Sequence, residues 1–206
     1  LQNADELLAT STETVELKPD FILYLGGHLI GKNIKSLLRQ AQDAAQWLIN
    51  EGGDVIDTFM HLTTIVETLP NNVLSLMVQM MQQIDKKQHE AHVNAYIQRW
   101  QKAHNDYCEH LKKERIEYTE AFAVQCFEQQ LSHNTTPYEV HYANSMSVRL
   151  ANKYARHHVW CNRGVNGIEG SLSTAAGMSL TTTNNVYCII GDLSFFYDQN
   201  ALWNTR

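Results

Sequence analysis

Two short apolar runs end abruptly at glycine, each leading toward a helix start, and this pattern limits the fold more than anything else in the chain. Phe21-Ile-Leu-Tyr-Leu25 stops at Gly26-Gly27, after which Lys32 to Ala45 carries Ile34, Leu37, Leu38 and Ala41 at helical spacing. Val186-Tyr-Cys-Ile-Ile190 stops at Gly191-Asp192. Continuous apolar runs of this length suit strands buried on both faces, and strands that alternate with helices imply parallel pairing. Trp47-Leu-Ile49, Leu62–Val66, Tyr138–Tyr142 and Val159–Cys161 read as further strands. Residues 70–84, Ser145–Tyr154 and Leu172–Leu180 read as helices, the first opened by Pro70-Asn71-Asn72 with Asn as its cap. The expected fold class is α/β: two partial three-layer units with mostly parallel sheets, joined by a long helical connector.

The connector is read from residues 86–131, which contain neither Pro nor Gly. Tyr96, Trp100, Ala103, Tyr107 and Leu111 recur every three or four positions there, the stripe of one or two amphipathic helices. Such a stripe serves packing rather than ligand binding. The polar segment Ser132-His-Asn-Thr-Thr-Pro137 is the expected boundary before the second α/β unit. The division expected is 1–85, 86–136 and 137–206.

Composition excludes several classes. With 16 Lys+Arg against 22 Asp+Glu, the net charge of −6 lacks the basic footprint that nucleic acid requires, so no nucleic-acid partner is expected. A few local cations are still enough for a small anion. No apolar run approaches the ~20 residues of a membrane span, and the acidic, polar residues 1–20 are unlike a signal peptide. Cys108, Cys126, Cys161 and Cys188 form no CxxC and read as reduced thiols, which points to a cytoplasmic location. Ten histidines, with His89 and His92 on one helical face and His157 beside His158, find no ligand set and read as structural or surface residues. The chain starts at Leu1 and stops at Arg206 within an apparent helix, which reads as a fragment of something longer.

Three features carry candidate chemistry. Gly26-x-x-x-x-Gly31-Lys32-Asn33 lies between a strand and a helix, the setting of a phosphate-binding loop, with Lys32 as its point charge. Asn33 stands where a Ser or Thr hydroxyl would bind Mg2+, which favours the plainer reading of a tight turn. Gly191-Asp192-Leu193-Ser194 places a carboxylate at the C-terminal edge of a parallel sheet, where α/β proteins bind ligands. Asp192 there either holds a hard cation beside phosphate oxygens or caps its own helix, and both readings stay open. Asn144-Ser145-x-x-x-Arg149 with Asn162-Arg163-Gly164 brings two arginines and a serine to neighbouring strand ends, where guanidinium groups can clamp carboxylates in bidentate fashion. Any one of these arginines alone would read as a surface ion-pair partner.

Taken together, Asn144-Ser-Met-Ser-Val-Arg149, Asn162-Arg-Gly-Val-Asn-Gly-Ile-Glu-Gly-Ser-Leu-Ser-Thr-Ala-Ala-Gly177 and Gly191-Asp-Leu-Ser-Phe-Phe-Tyr-Asp-Gln-Asn-Ala-Leu202 resemble a thiamine-diphosphate-dependent family of menaquinone synthesis, the 2-succinyl-5-enolpyruvyl-6-hydroxy-3-cyclohexene-1-carboxylate synthases. The detailed likeness covers about residues 140–202, and the Gly26–Lys32 turn resembles the family's central domain more loosely. The resemblance implies a transferase that decarboxylates 2-oxoglutarate and adds the succinyl unit to isochorismate. The cofactors implied are thiamine diphosphate and Mg2+, with Mn2+ as the alternative ion. By motif, Asp192 is a metal ligand. Gly191, Leu193 and Ser194 lie at the diphosphate, and Ile168 is the apolar prop that bends the cofactor. Ser145, Arg149 and Arg163, with Asn144 beside them, meet substrate carboxylates, and Lys32 reaches the isochorismate side.

On this resemblance residues 1–85 are part of the Rossmann-like central domain and 137–206 the start of the diphosphate-binding domain. The pyrimidine-binding domain with its activating glutamate, and a later Asn that completes the metal site, are not in the sequence. The chain alone is therefore expected to be inactive and to bind cofactor poorly. The full-length protein is expected to be a homo-oligomer.

Overall fold

The computed structural model describes residues 3–10, 14–27, 29–83, 90–113, 117–164 and 167–203. The expected helix end at Ile84, His89, and Val165-Asn166 of the glycine-rich stretch lie outside the described residues. The chain is α/β, as its alternating pattern implies, with every strand pairing parallel. Contacts divide it into two compact units that meet in sequence between Glu114 and Arg115.

In the first unit, α1 (Ala4–Thr10) and a 3-10 turn (Thr14–Leu17) precede β1 (Phe21–Tyr24), α2 (Lys32–Gln40), β2 (Ala45–Ile49), β3 (Thr64–Val66), α3 (Pro70–Gln83) and α4 (Glu90–Lys113). The sheet order is β1-β2-β3, with Phe21 level with Ala45 and Trp47 level with Thr64. α2 ends sooner than the sequence implies. Ala45 is drawn into the sheet, its N–H donating to the Asp20 carbonyl at 3.1 Å, so the helix has to stop before the Ala41–Ala44 turn. The aromatic stripe of α4 does pack: Trp100 and Tyr107 are buried with Leu7, Leu8, Leu17 and Leu37, and Tyr96, Ala103 and Leu111 flank them. A second cluster of Ile22, Ala41, Ala44 and Phe59 fills the space between β1 and the end of α2.

The second unit contains α5 (Glu120–Leu131), β4 (Tyr138–Tyr142), α6 (Met146–Tyr154), α7 (Ser171–Ser179), β5 (Asn185–Ile189) and α8 (Asp192–Tyr197), then a 3-10 turn (Gln199–Trp203). Within the helical segment 86–131 the described residues form two helices, α4 in the first unit and α5 in the second. Thr119 caps α5, its Oγ1 accepting the Phe122 N–H at 3.5 Å. β4 and β5 pair over five positions, Tyr138 with Asn185 through Tyr142 with Ile189. The strand expected over Val159–Cys161 shrinks to a single parallel bridge. Trp160 donates its N–H to Val140 O and accepts from Tyr142 N, both at 2.9 Å. Its side chain is tied across the edge, Nε1 donating to Glu139 at 2.8 Å.

Candidate active site

Parallel pairing fixes which residues share a sheet edge. β4 lies between β5 and the Trp160 bridge. Tyr142 is level with Ile189 and His141 with Trp160. Carried two and three residues further, these registers bring Gly191 and Arg163 level with Asn144. The three stretches singled out in the sequence therefore leave one C-terminal edge together, the edge where α/β proteins bind ligands.

Asn144 knits that edge. It is buried, and its Nδ2 donates to the carbonyls of Asn162 at 2.8 Å and Gly167 at 2.9 Å. Its Oδ1 accepts from Arg163 Nη1 at 2.9 Å. Asn162 continues the network, donating to Gly170 O at 3.0 Å and Thr174 Oγ1 at 2.8 Å, which fastens the loop to α7. Arg163 spends one donor on Asn144, while its Nε is buried without an acceptor among the described residues. A buried guanidinium N–H with no partner is costly, and a carboxylate is its natural complement.

Ser145 and Arg149 stand differently. Ser145 sits just before α6 at φ 70° and ψ −125°, a conformation that side-chain-bearing residues rarely adopt, and its side chain is exposed and caps nothing. Strain of this kind persists only where the surroundings enforce it and gathers at functional sites. Arg149 follows one turn later on α6, exposed, with no ion-pair partner among the described residues.

At β5 the chain passes Gly191 into α8. A Cβ on Gly191 would meet nothing within 4 Å, so the space beside this turn is open. Asp192 is exposed; one carboxylate oxygen accepts the Leu193 N–H at 2.8 Å and the other has no partner among the described residues. Leu193 and Ile168 are exposed, whereas Ser194 is buried. No group of three or more His, Cys, Asp and Glu side chains among the described residues could hold a metal ion. The open oxygen of Asp192 is a hard donor of the type that Mg2+ takes, and a metal held there would need its remaining ligands from elsewhere.

Lys32 belongs to the first unit, exposed at the first position of α2. The phosphate-loop reading of its turn meets a specific obstacle. The Asp5 carboxylate of α1 already accepts the N–H groups of Asn33 at 2.6 Å and Ile34 at 3.0 Å. A Cβ on Gly31 would collide with that carboxylate. The donors that a phosphate needs at this helix start are taken by an anion built into the chain.

Sequence reasoning missed two supports of the second unit. Glu128 of α5 is buried, accepting from Tyr142 Oη at 2.5 Å and pairing with His157 Nε2 at 2.9 Å. Burial, together with this carboxylate, pushes the Tyr142 hydroxyl far above its ordinary value. Asp198 accepts from both the N–H and the hydroxyl of Ser173, pinning the start of α7. Burial opposes its ionisation, but these hydrogen bonds outweigh it and hold the carboxyl below its ordinary range. Glu128 lies in no motif, and Asp198 stands within the Gly191–Leu202 stretch without a role assigned to it, so only their position in the fold marks them. Burial, with Asp198 nearby, raises the Cys188 thiol to about 11, and burial raises Cys161 against the pull of Arg163. Both are therefore poor nucleophiles near neutral pH.

No family model matches the chain. Curated relatives do. It is 35% identical over 212 residues to the 2-succinyl-5-enolpyruvyl-6-hydroxy-3-cyclohexene-1-carboxylate synthase of Bacteroides fragilis, covering 100% of this chain and 36% of that protein. It is 33% identical over 209 residues to the synthase of the same name from Bacteroides thetaiotaomicron, covering 99% of this chain and 35% of that protein. The Cytophaga hutchinsonii protein of that name is 36% identical over 199 residues, 94% of this chain and 34% of the relative. The chain thus spans about a third of the length of the curated relatives it matches. Matched along essentially its whole length, this chain belongs to the 2-succinyl-5-enolpyruvyl-6-hydroxy-3-cyclohexene-1-carboxylate synthase family, as a stretch corresponding to about a third of its members.

Proposed function

We propose that this chain contributes the diphosphate edge and part of the substrate site of a thiamine-diphosphate- and Mg2+-dependent transferase, one that decarboxylates 2-oxoglutarate and joins the remaining four carbons to isochorismate. The observation that carries the reading is the parallel register that brings Asn144, Arg163 and Gly191 level at one sheet edge. The family relationship supports it.

In this reading Asp192 offers its unpartnered carboxylate oxygen to the metal. Gly191, with open space beside it, lets the diphosphate approach the backbone, while Leu193 and Ser194 line the same turn. When bound, the cofactor supplies the electron sink for loss of CO2. Ile168, exposed at the end of the loop that Asn144 fastens, is the apolar surface against which the cofactor is shaped. Arg163, Arg149 and Ser145 take the substrate carboxylates: Arg163 through donors not spent on Asn144, Arg149 from a guanidinium with no ion-pair partner among the described residues, Ser145 from its exposed hydroxyl. Two anionic substrates fit a site with two arginines in a protein that is otherwise net acidic. Lys32, exposed at the start of α2, is the cation assigned to isochorismate. The partial metal ligand set fits a chain that is inactive alone, and its exposed apolar residues on α8 and after it, Phe196, Leu202 and Trp203 among them, fit association with further protein.

The test is CO2 release from 2-oxoglutarate by the synthase-length protein carrying this sequence, with each of isochorismate, thiamine diphosphate and Mg2+ omitted in turn. The reading expects turnover only with all three, and its loss in Asp192→Ala. Turnover that persists without thiamine diphosphate, or in Asp192→Ala at wild-type rate, would overturn it.

A further inference from the structure

Asn144 sits among the proposed substrate groups in sequence, yet the structure buries it and engages its amide. Two donated bonds go to the carbonyls of Asn162 and Gly167, and its Oδ1 accepts from Arg163 Nη1 at 2.9 Å and from Cys161 Sγ at 3.8 Å. An amide so engaged has nothing left for a substrate carboxylate, which needs donors. We infer that Asn144 is a positioning residue: its Oδ1 fixes the Arg163 guanidinium while its Nδ2 holds the loop carrying Arg163 and Ile168 at the sheet edge.

Three features support this role. Asn144 lies two residues past the C-terminal end of β4, where its side chain meets Asn162, Arg163 and Gly167 of the stretch that follows the Trp160 bridge. Arg163 is a long, rotamer-rich side chain. Of its five N–H donors only Nη1 has an acceptor among the described residues, and that acceptor is Asn144. Removing the acceptor frees the guanidinium to sample other rotamers, and a displacement of about 1 Å in a group that orients substrate costs on the order of 10²-fold in rate. Finally, the bonds to Asn162 and Gly167 bracket Arg163 in sequence, so the backbone on both sides of it is tied to the same amide.

The inference rests on the reading of Arg163 as a substrate-carboxylate group, and the experiment separates the two. In the synthase-length protein, kcat and KM for 2-oxoglutarate and for isochorismate are measured in Arg163→Ala, Asn144→Ala, the double variant and Asn144→Asp, with thermal midpoints for all. If Arg163→Ala leaves every constant unchanged, the site reading itself fails. If Arg163→Ala raises one substrate's KM, Asn144→Ala is expected to raise the KM of that same substrate about tenfold or more. The double variant should then be no worse than Arg163→Ala, because a residue acting through Arg163 has nothing left to act on. Asn144→Asp keeps an oxygen for the guanidinium and is expected to recover most of that KM, although it loses the two donated bonds. It also decides the matter if Asn144→Ala fails to fold. Fully additive losses, a defect in a different substrate's constants from the one Arg163→Ala affects, or Asn144→Asp as impaired as Arg163→Ala would each overturn the assignment.

Discussion

The turn after β1 and the turn after β4 are built to the same plan and put to opposite uses. Each runs from a parallel strand into a helix of nine residues, and neither helix has a side-chain cap from the residue before it. At α2 the exposed N–H groups are already satisfied, because Asp5 reaches over from α1 and accepts both. At α6 no such anion arrives among the described residues. The residue before the helix is held at a strained φ instead, and the neighbouring Asn144 ties in Asn162, Arg163 and Gly167 of the loop beside it. A helix start is an anion site only until the fold fills it. The one that looked more like a phosphate loop by spacing is closed, and the one without a glycine signature stays open.

Several substitutions would break or sharpen that contrast. The largest stability effect is expected at Glu128, the carboxylate that clamps β4 from behind. Glu128→Ala strands the buried Tyr142 hydroxyl and leaves His157 without its partner, a loss of about 3 kcal/mol, read as a lowered urea midpoint. A shift below about 1 kcal/mol would mean that water replaces the carboxylate. Asp5→Ala empties the α2 start and is expected to cost about 1–2 kcal/mol. In the unsubstituted chain, ATP with Mg2+ should give no heat in a titration, and clear binding would reopen the phosphate-loop reading of Gly26–Lys32. Ser145→Gly relieves the strained φ and is expected to stabilise the fold by roughly 0.5–1 kcal/mol while reducing turnover, since the side chain is placed there at a cost. A destabilised Ser145→Gly would show that the backbone is not strained.

The smallest expected effect is on acid stability. Hydrogen bonds from Trp160 and then Asn184 hold Glu139 below its ordinary 4.5, and Asp198 lies below its ordinary 3.8. Both folded-state values are depressed, so the stability they add is complete above the ordinary values and is lost as pH falls through the depressed ones. Denaturation midpoints between about pH 5 and pH 3 should therefore drop less steeply in Glu139→Gln than in the parent. Equal slopes would remove Glu139 from the account.

The contrast also shows what could be read in advance. Apolar runs and glycine stops located β1, β2 and β5, because strands of a parallel sheet carry continuous apolar sequence even where, as in β5, the burial is only partial. The motif residues Asn144, Arg163 and Gly191 were visible as strand-end residues, but their alignment depended on a register that no local pattern encodes. Three things were hidden for the same reason, since each depends on a partner distant in sequence. Asp5 closes a helix start 28 positions away, Glu128 supports a tyrosine 14 positions on, and Trp160 turns an expected strand into one bridging residue. Asn144, which the resemblance sets beside the substrate groups, is buried with its amide engaged by Asn162, Arg163 and Gly167, an environment that no local pattern encodes.

The central claim is that the C-terminal edge shared by β4, β5 and Trp160 is where substrate carboxylates are held. The most direct measurement is kcat/KM of Arg163→Ala in the synthase-length protein, for 2-oxoglutarate and isochorismate separately. Loss of a charged hydrogen-bond donor predicts a fall on the order of 10²-fold for one of the two, about 2–3 kcal/mol, with the thermal midpoint little changed. An unchanged kcat/KM for both substrates in a folded variant would contradict it.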